Sequence, residues 1–148
     1  MYTLSNTPAA QMPYQEDKSL DIGFDCDAKL EKGAIVKLSS DGDVDAIAAA
    51  TDLPLGVVSV GNSAAGEKLT VKTGFVAVSK VIIDTDDVVI GDKLSFTAWD
   101  ATNKLTKVKK SLTTNYISAI ALTAGGDTDE IMVGILRTPI YTYVYTPG

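Results

Sequence analysis

No apolar segment in this chain runs far before a turn residue cuts it. Gly33, Asp41-Gly42, Gly56, Gly61, Gly66, Gly74, Gly91 and Gly125-Gly126 punctuate the sequence at close intervals. That rhythm leaves room for short strands and little for helices, which need longer uninterrupted stretches to bury a face. Val, Ile and Thr, whose branched Cβ restricts χ1 and suits a pleated surface, supply 41 of the 148 residues. The expectation is an all-β chain folded as a single-domain β-sandwich or partly closed barrel.

Three parts follow along the chain. Residues 1–19 hold Pro8 and Pro13 among scattered polar residues with no sustained period, and read as an extended N-terminal arm. Residues 20–136 carry the β body. It opens on a strand that alternates Leu20, Ile22, Phe24 and Cys26 inward with Asp21, Gly23, Asp25 and Asp27 outward. Ala34 to Leu38 and Val44 to Ile47 form a hairpin across Asp41-Gly42, and Ala48 to Asp52 is expected to add one helical turn. Leu55 to Val60, Lys68 to Thr73 and Phe75 to Ile83 continue as strands, with Gly74 a bulge or bend. Residues 137–148 form a tyrosine-rich C-terminal edge strand. Left free, so apolar an edge would aggregate, so it joins its own sheet or is covered by another chain.

The second half of the body repeats the order of the first. Gly91 to Phe96 matches Gly33 to Leu38, Asn103-Lys104-Leu105 matches Gly42-Asp43-Val44, Ile117 to Leu122 matches Leu55 to Val60, and Asp129 to Val133 matches Glu67 to Val71. A constant order of strands and turns at a nearly fixed offset implies two related four-strand units sharing one core.

Composition removes most chemistry. The chain has no His and one Cys. It therefore lacks any Ser-His or Cys-His pair, any His-ligated metal, any disulfide framework and any multi-Cys zinc or iron-sulfur site. A net charge of -6, with Arg137 as the single arginine, opposes phosphate binding, so no nucleic-acid partner is expected. No apolar run approaches the roughly 20 residues of a membrane helix, and the first residues lack a signal-peptide pattern. The expected setting is a reducing, cytosol-like compartment without membrane contact.

The remaining candidates have ordinary readings. Asp41-Gly42-Asp43-Val44-Asp45 begins like a calcium loop but has Ala46 and Leu53 where that loop needs Gly and Glu, so it reads as a solvated hairpin tip, with a weak cation site between subunits as the alternative. Asp84, Asp86 and Asp87, and Asp127, Asp129 and Glu130, are similar acidic turns. Cys26 lies between two aspartates that raise its pKa, which suits a core residue and not a nucleophile. Lys104, Lys107, Lys109 and Lys110 form a solvated basic face or an electrostatic contact for an acidic partner. Trp99 reads as a core or interface plug. The loops Gly61 to Gly66 and Thr123 to Asp127 lack the Lys-Ser/Thr ending of a phosphate loop. No carboxylate pair is singled out for glycoside chemistry. No catalytic residue, cofactor or metal is expected, and the protein is read as a non-enzyme.

What is left is the two ends, since arms and edge strands are how small β proteins grip partners. The candidate contact residues are Tyr2, Leu4, Pro8, Met12, Pro13 and Tyr14 in the arm and Tyr141, Tyr143 and Tyr145 in the tail.

The order of motifs resembles the small β-rich decoration proteins of tailed-bacteriophage capsids, also called auxiliary, cement or head-stabilising proteins. The residues that carry the resemblance are Lys32-Gly33, Asp52 to Val57, Gly66 to Val71 with Gly74, Gly91-Asp92-Lys93-Leu94, Ile117 to Leu122, and Ile131 to Leu136. Ser118-Ala119 stands where that pattern has Gly. The resemblance implies a structural virion protein on the outer capsid surface, made in the host cytoplasm, that bridges major capsid subunits and assembles with itself, commonly as a trimer. The alternative is a carbohydrate- or receptor-binding module of a phage fibre or surface adhesin.

Overall fold

A computed structural model describes residues 20–73, 78–111 and 116–141 of the chain. All regular structure among them is β: β1 (Asp21–Asp25), β2 (Ile35–Leu38), β3 (Val44–Ala46), β4 (Gly56–Val60), β5 (Lys68–Thr73), β6 (Val78–Ile83), β7 (Lys93–Asp100), β8 (Leu105–Lys110), β9 (Tyr116–Ala121) and β10 (Glu130–Tyr141). The expected helical turn at Ala48 to Asp52 is a simple turn, closed by the Asp52 amide on the Ala49 carbonyl (3.1 Å).

Two five-strand units follow each other in the chain. The first is an open sheet in the order β1-β5-β4-β2-β3, the second a closed barrel in the order β10-β6-β8-β7-β9. Replacing β1 to β5 by β6 to β10 turns one order into the other, so the structure extends each repeat from four strands to five. Backbone hydrogen bonds repeat as well. Gly33 N to Val58 O (2.9 Å) has its counterpart in Gly91 N to Ala121 O (2.8 Å), and Gly66 N to Cys26 O (2.8 Å) in Thr128 N to Ile83 O (3.0 Å). Left-handed backbone recurs at the same turns, at Gly33 and Gly91, at Gly42 and Lys104, and at Gly66 and Thr128.

Register corrects two of the matches expected from sequence. Val36 pairs with Gly56 as Leu94 pairs with Ala119, so Gly56 corresponds to Ala119 and the expected match of Leu55 to Val60 with Ile117 to Leu122 is one residue out. That accounts for Ser118-Ala119 standing in place of the expected Gly: the position keeps a small residue. Leu38 pairs with Val44 as Phe96 pairs with Val108, so Val44 corresponds to Val108 and not to Leu105. Leu105 belongs to an extension of the second hairpin that the first unit lacks.

The units do not share one core. Cys26, Leu30, Ala34, Val36, Val44, Val58, Leu69 and Val71 form a cluster inside the first. A second cluster, built around Phe96, Leu94, Val108, Ile131 and Val133, fills the barrel. Each borrows from the other: Ile35 and Ile47 join the barrel cluster, and Trp99 packs against the first unit's core. Among the described residues, three side-chain hydrogen bonds tie the units: Ser79 Oγ to the Gly33 carbonyl (3.2 Å), Thr106 Oγ1 to the Ile47 carbonyl (3.3 Å) and Lys104 Nζ to Glu31 Oε2 (2.9 Å).

The opening strand is only partly as expected. Cys26 is buried and Phe24 half-buried, whereas Leu20 (64%) and Ile22 (40%) are exposed. They lie on the inward face of β1, with Ile22 opposite Val71, but the open sheet leaves that end uncovered.

Candidate functional site

The acidic turns hold their own backbone. A short carboxylate side chain can accept from an amide two or three residues away and so close a turn. Asp41 accepts from Asp43 N (3.1 Å), Asp100 from Thr102 N (2.9 Å) and Asn103 N (3.0 Å), and Asp92 from Val89 N (2.9 Å). Asp127 and Asp86 do the same over longer distances, binding Thr85 N and Lys110 N at 2.7 Å each. Asp129 accepts from Gly126 N (2.9 Å), which engages an amide of the second glycine-rich loop. In the first such loop, buried Asn62 accepts from Leu30 N and donates to the Ala28 and Glu67 carbonyls. Both loops are spent on the fold's own contacts.

Asp52 shows the principle with an ion pair added. Burial disfavours its charge, but the Ala48 and Ala49 amides and the Lys37 ammonium at 2.9 Å outweigh that and hold its carboxyl below the usual range.

One acidic group is different because it assembles from two elements. The carboxylates of Asp27, after β1, and of Asp41 and Asp43, at the β2–β3 tip, come within 4.8 Å of one another. Spacing along the chain pointed to Asp41, Asp43 and Asp45; only the fold brings Asp27 to them. Desolvation and the charges of Asp41, Asp27, Asp25 and Asp45 push the Asp43 carboxyl up, while the Ser39 hydroxyl and the Asp43 amide hold Asp41 down. Nearby, burial first and then the charges of Asp45, Asp27 and Asp43 raise the Cys26 thiol, partly opposed by the Ala28 amide. Cys26 is thus a core residue poorly disposed to react.

The lysine cluster is partly engaged within the chain. Lys104 pairs with Glu31 at 2.9 Å and Lys110 lies 3.6 Å from Asp92. The Lys104 contact joins the β7–β8 tip to the turn before β2, so Trp99 and Lys104 together clamp the second hairpin onto the first unit.

Of the candidate contact residues, Tyr2, Leu4, Pro8, Met12, Pro13, Tyr14, Tyr143 and Tyr145 lie outside the described residues, as does Gly74. Tyr141 ends β10, paired with Tyr116, so up to that point the C-terminal segment joins its own sheet. The sequence reading gave no weight to an apolar group at the turn before β7: Val89 (59%), Ile90 (70%) and, at the end of β9, Leu122 (44%) are exposed. The signal was available in two adjacent aliphatics sitting where the first unit has Glu31-Lys32. Beside them is an open recess of about 310 Å³ lined by Gly91, Asp92, Lys93, Lys110 and Ser111.

No protein-family model matches the chain, and no curated protein matches it. A solved structure does: the crystal structure of the head fiber gp8.5 N base in bacteriophage phi29 is similar, at a TM-score of 0.57 and 16% identity, over 82% of this chain and 98% of that one. At that identity the likeness shows a shared fold.

Proposed function

We propose that the protein is a structural component of a tailed-phage virion that seats on the outer surface of the head and bridges capsid subunits, with no catalytic role and no cofactor. The observation that carries this reading is the fold held in common with a phage head fiber base, which spans nearly all of that chain. A rigid β body with grips at its ends suits such work. Binding across subunit junctions adds contact free energy that must be lost before the shell opens, and several weak grips acting together multiply the effect.

The grips in this proposal are Tyr2, Leu4, Pro8, Met12, Pro13 and Tyr14 on one side and Tyr141, Tyr143 and Tyr145 on the other. Aromatic side chains give large contact area for few rotatable bonds, which is why they dominate interface energetics. Self-association, with a trimer as the family's common form, is part of the proposal.

Pelleting tests it. Purified protein is mixed with DNA-free heads of the phage that encodes it, beside a version lacking residues 1–19. Saturable co-sedimentation of the full chain and its loss on truncation is the expected result; no binding by the full chain at micromolar concentration overturns the reading.

The likeness to a head fiber base favours a second reading, in which the chain is itself a carbohydrate- or receptor-binding module of a fibre on the head. Both readings seat this chain on the head. They part on the isolated protein, where specific glycan-array binding supports the receptor module and its absence supports a purely mechanical role.

A further inference from the structure

The turn before β7 is apolar where its counterpart is charged. Backbone hydrogen bonds make the two turns equivalent: Ala34 N to Glu31 O (3.2 Å) matches Asp92 N to Val89 O (3.1 Å), and Val58 N to Ala34 O (2.9 Å) matches Ala121 N to Asp92 O (2.9 Å). The first of these turns is touched by a hairpin tip, although Glu31 and Lys32 stay exposed. The β7–β8 tip reaches it through Lys104 and Glu31, while Trp99 packs on the core beneath. The second turn exposes Val89, Ile90 and Leu122, with a recess alongside that holds Lys93 and Lys110 against the single carboxylate of Asp92. The molecule thus contains one worked example of how this turn is engaged, by the tip of a hairpin with opposite charge, and one copy that no hairpin tip reaches among the described residues.

We propose that the Val89–Ile90 turn of one copy of the protein receives the β2–β3 tip of a second copy. This rests on the reading of the chain as a self-assembling virion component. The β2–β3 tip is the first unit's equivalent of the hairpin that engages the first turn. It carries Asp41 and Asp43 to meet Lys93 and Lys110 at the recess, and half-exposed Leu38 (53%) to meet Val89 and Ile90. Charge also favours the approach, because Asp43 is crowded by four other aspartates and gains from a lysine. The contact joins two different surfaces, so each copy offers one tip and one turn. Such head-to-tail contacts close into a ring or extend as a chain.

Sedimentation velocity on the full chain tests it with Ile90→Asp, which spoils the turn, and Asp43→Lys, which spoils the tip. The wild type is expected to sediment as an oligomer, dissociating at least tenfold more readily at 500 mM than at 50 mM salt. Each variant alone is expected to be monomeric, and their equimolar mixture to form a one-to-one dimer and nothing larger, because each retains one intact surface. Melting curves on the same samples show whether each variant is folded, and Val89→Ser with Lys110→Glu provides a second pair at the turn. A monomeric wild type, oligomers that survive both substitutions, or a mixture that stays monomeric each overturn the proposal. Pelleting of the monomeric variants with heads reads the seating proposal separately: variants that bind heads but do not self-associate sustain both, and a monomeric wild type that binds heads overturns only the contact described here.

Discussion

The second unit closes through β6 and β8, with Ile82 opposite Lys107 and Ile83 opposite Val108; the first, with the same strand order, stops short between β1 and β3. Carrying the register across puts Asp25 opposite Asp43 and Cys26 opposite Val44. The buried pair is as compatible with closure in one unit as in the other, but the outer pair sets two carboxylates face to face in place of an aliphatic and an ammonium. Like charges directly opposite each other destabilise a strand pair, and Asp27, Asp41 and Asp45 add to the repulsion. A barrel and an open sheet can therefore differ by the charge at one seam. The opening also leaves inward-facing Leu20 and Ile22 exposed.

The largest effect expected from this comparison is at one pair of equivalent positions. Phe96 is 2% exposed inside the barrel while its counterpart Leu38 is 53% exposed. Phe96→Ala should cost about 3 to 5 kcal/mol, since it leaves a cavity in a filled core; Leu38→Ala should cost less than about 1 kcal/mol. Urea unfolding of both variants checks the contrast, and similar losses would break it.

Gly56 and Ala119 come next. A Cβ on Gly56 would lie 2.2 Å from the Lys72 carbonyl oxygen, so Gly56→Ala should destabilise by about 2 to 3 kcal/mol through forced strand separation. The equivalent strand already accommodates Ala119, and Ala119→Gly should cost only about 1 kcal/mol. Equal midpoint shifts would contradict the assigned register.

Asp52 gives a smaller, pH-dependent effect. Its folded pKa lies below its unfolded value, so its ionised form stabilises the fold above the unfolded pKa of about 3.9, and this is lost as pH falls through the lower folded value. Asp52→Asn should cost about 1 kcal/mol at pH 7, and the difference from wild type should shrink as pH falls below about 4. A difference independent of pH would show that charge plays no part.

Smallest is Asp43→Asn, with the opposite sign. The folded pKa of Asp43 is raised, so its ionised form opposes folding above that value, and protonation relieves the strain as pH falls. The amide variant should be slightly more stable than wild type at pH 7 and equal to it in acid. A loss of stability at pH 7 would mean that the seam repulsion is not felt.

Much of the fold was legible because strand alternation and turn chemistry are local. Lys68 to Thr73 was placed residue for residue, the Asp41-Gly42 hairpin was found, and the repeat emerged from turn spacing. What escaped was set by partners distant in the chain. Alternation correctly put Leu20 and Ile22 on the inward face, but only the missing β1–β3 pairing decides that this face is uncovered. Likewise, no spacing rule could bring Asp27 to Asp41 and Asp43, or show that Trp99 of the second hairpin packs on the first unit. For the candidate site, the acidic turns were visible and their work as amide acceptors was not, since that depends on backbone geometry. Val89-Ile90 needed the comparison with Glu31-Lys32, which requires the alignment of turns that the structure supplies.

The proposed seating of this chain on a phage head is tested most directly by imaging DNA-free heads saturated with the purified protein. The account predicts density for a two-unit β body at regular positions on the outer surface, bridging neighbouring capsid subunits. Heads that remain bare at saturating protein, or density confined to the tail, would contradict it.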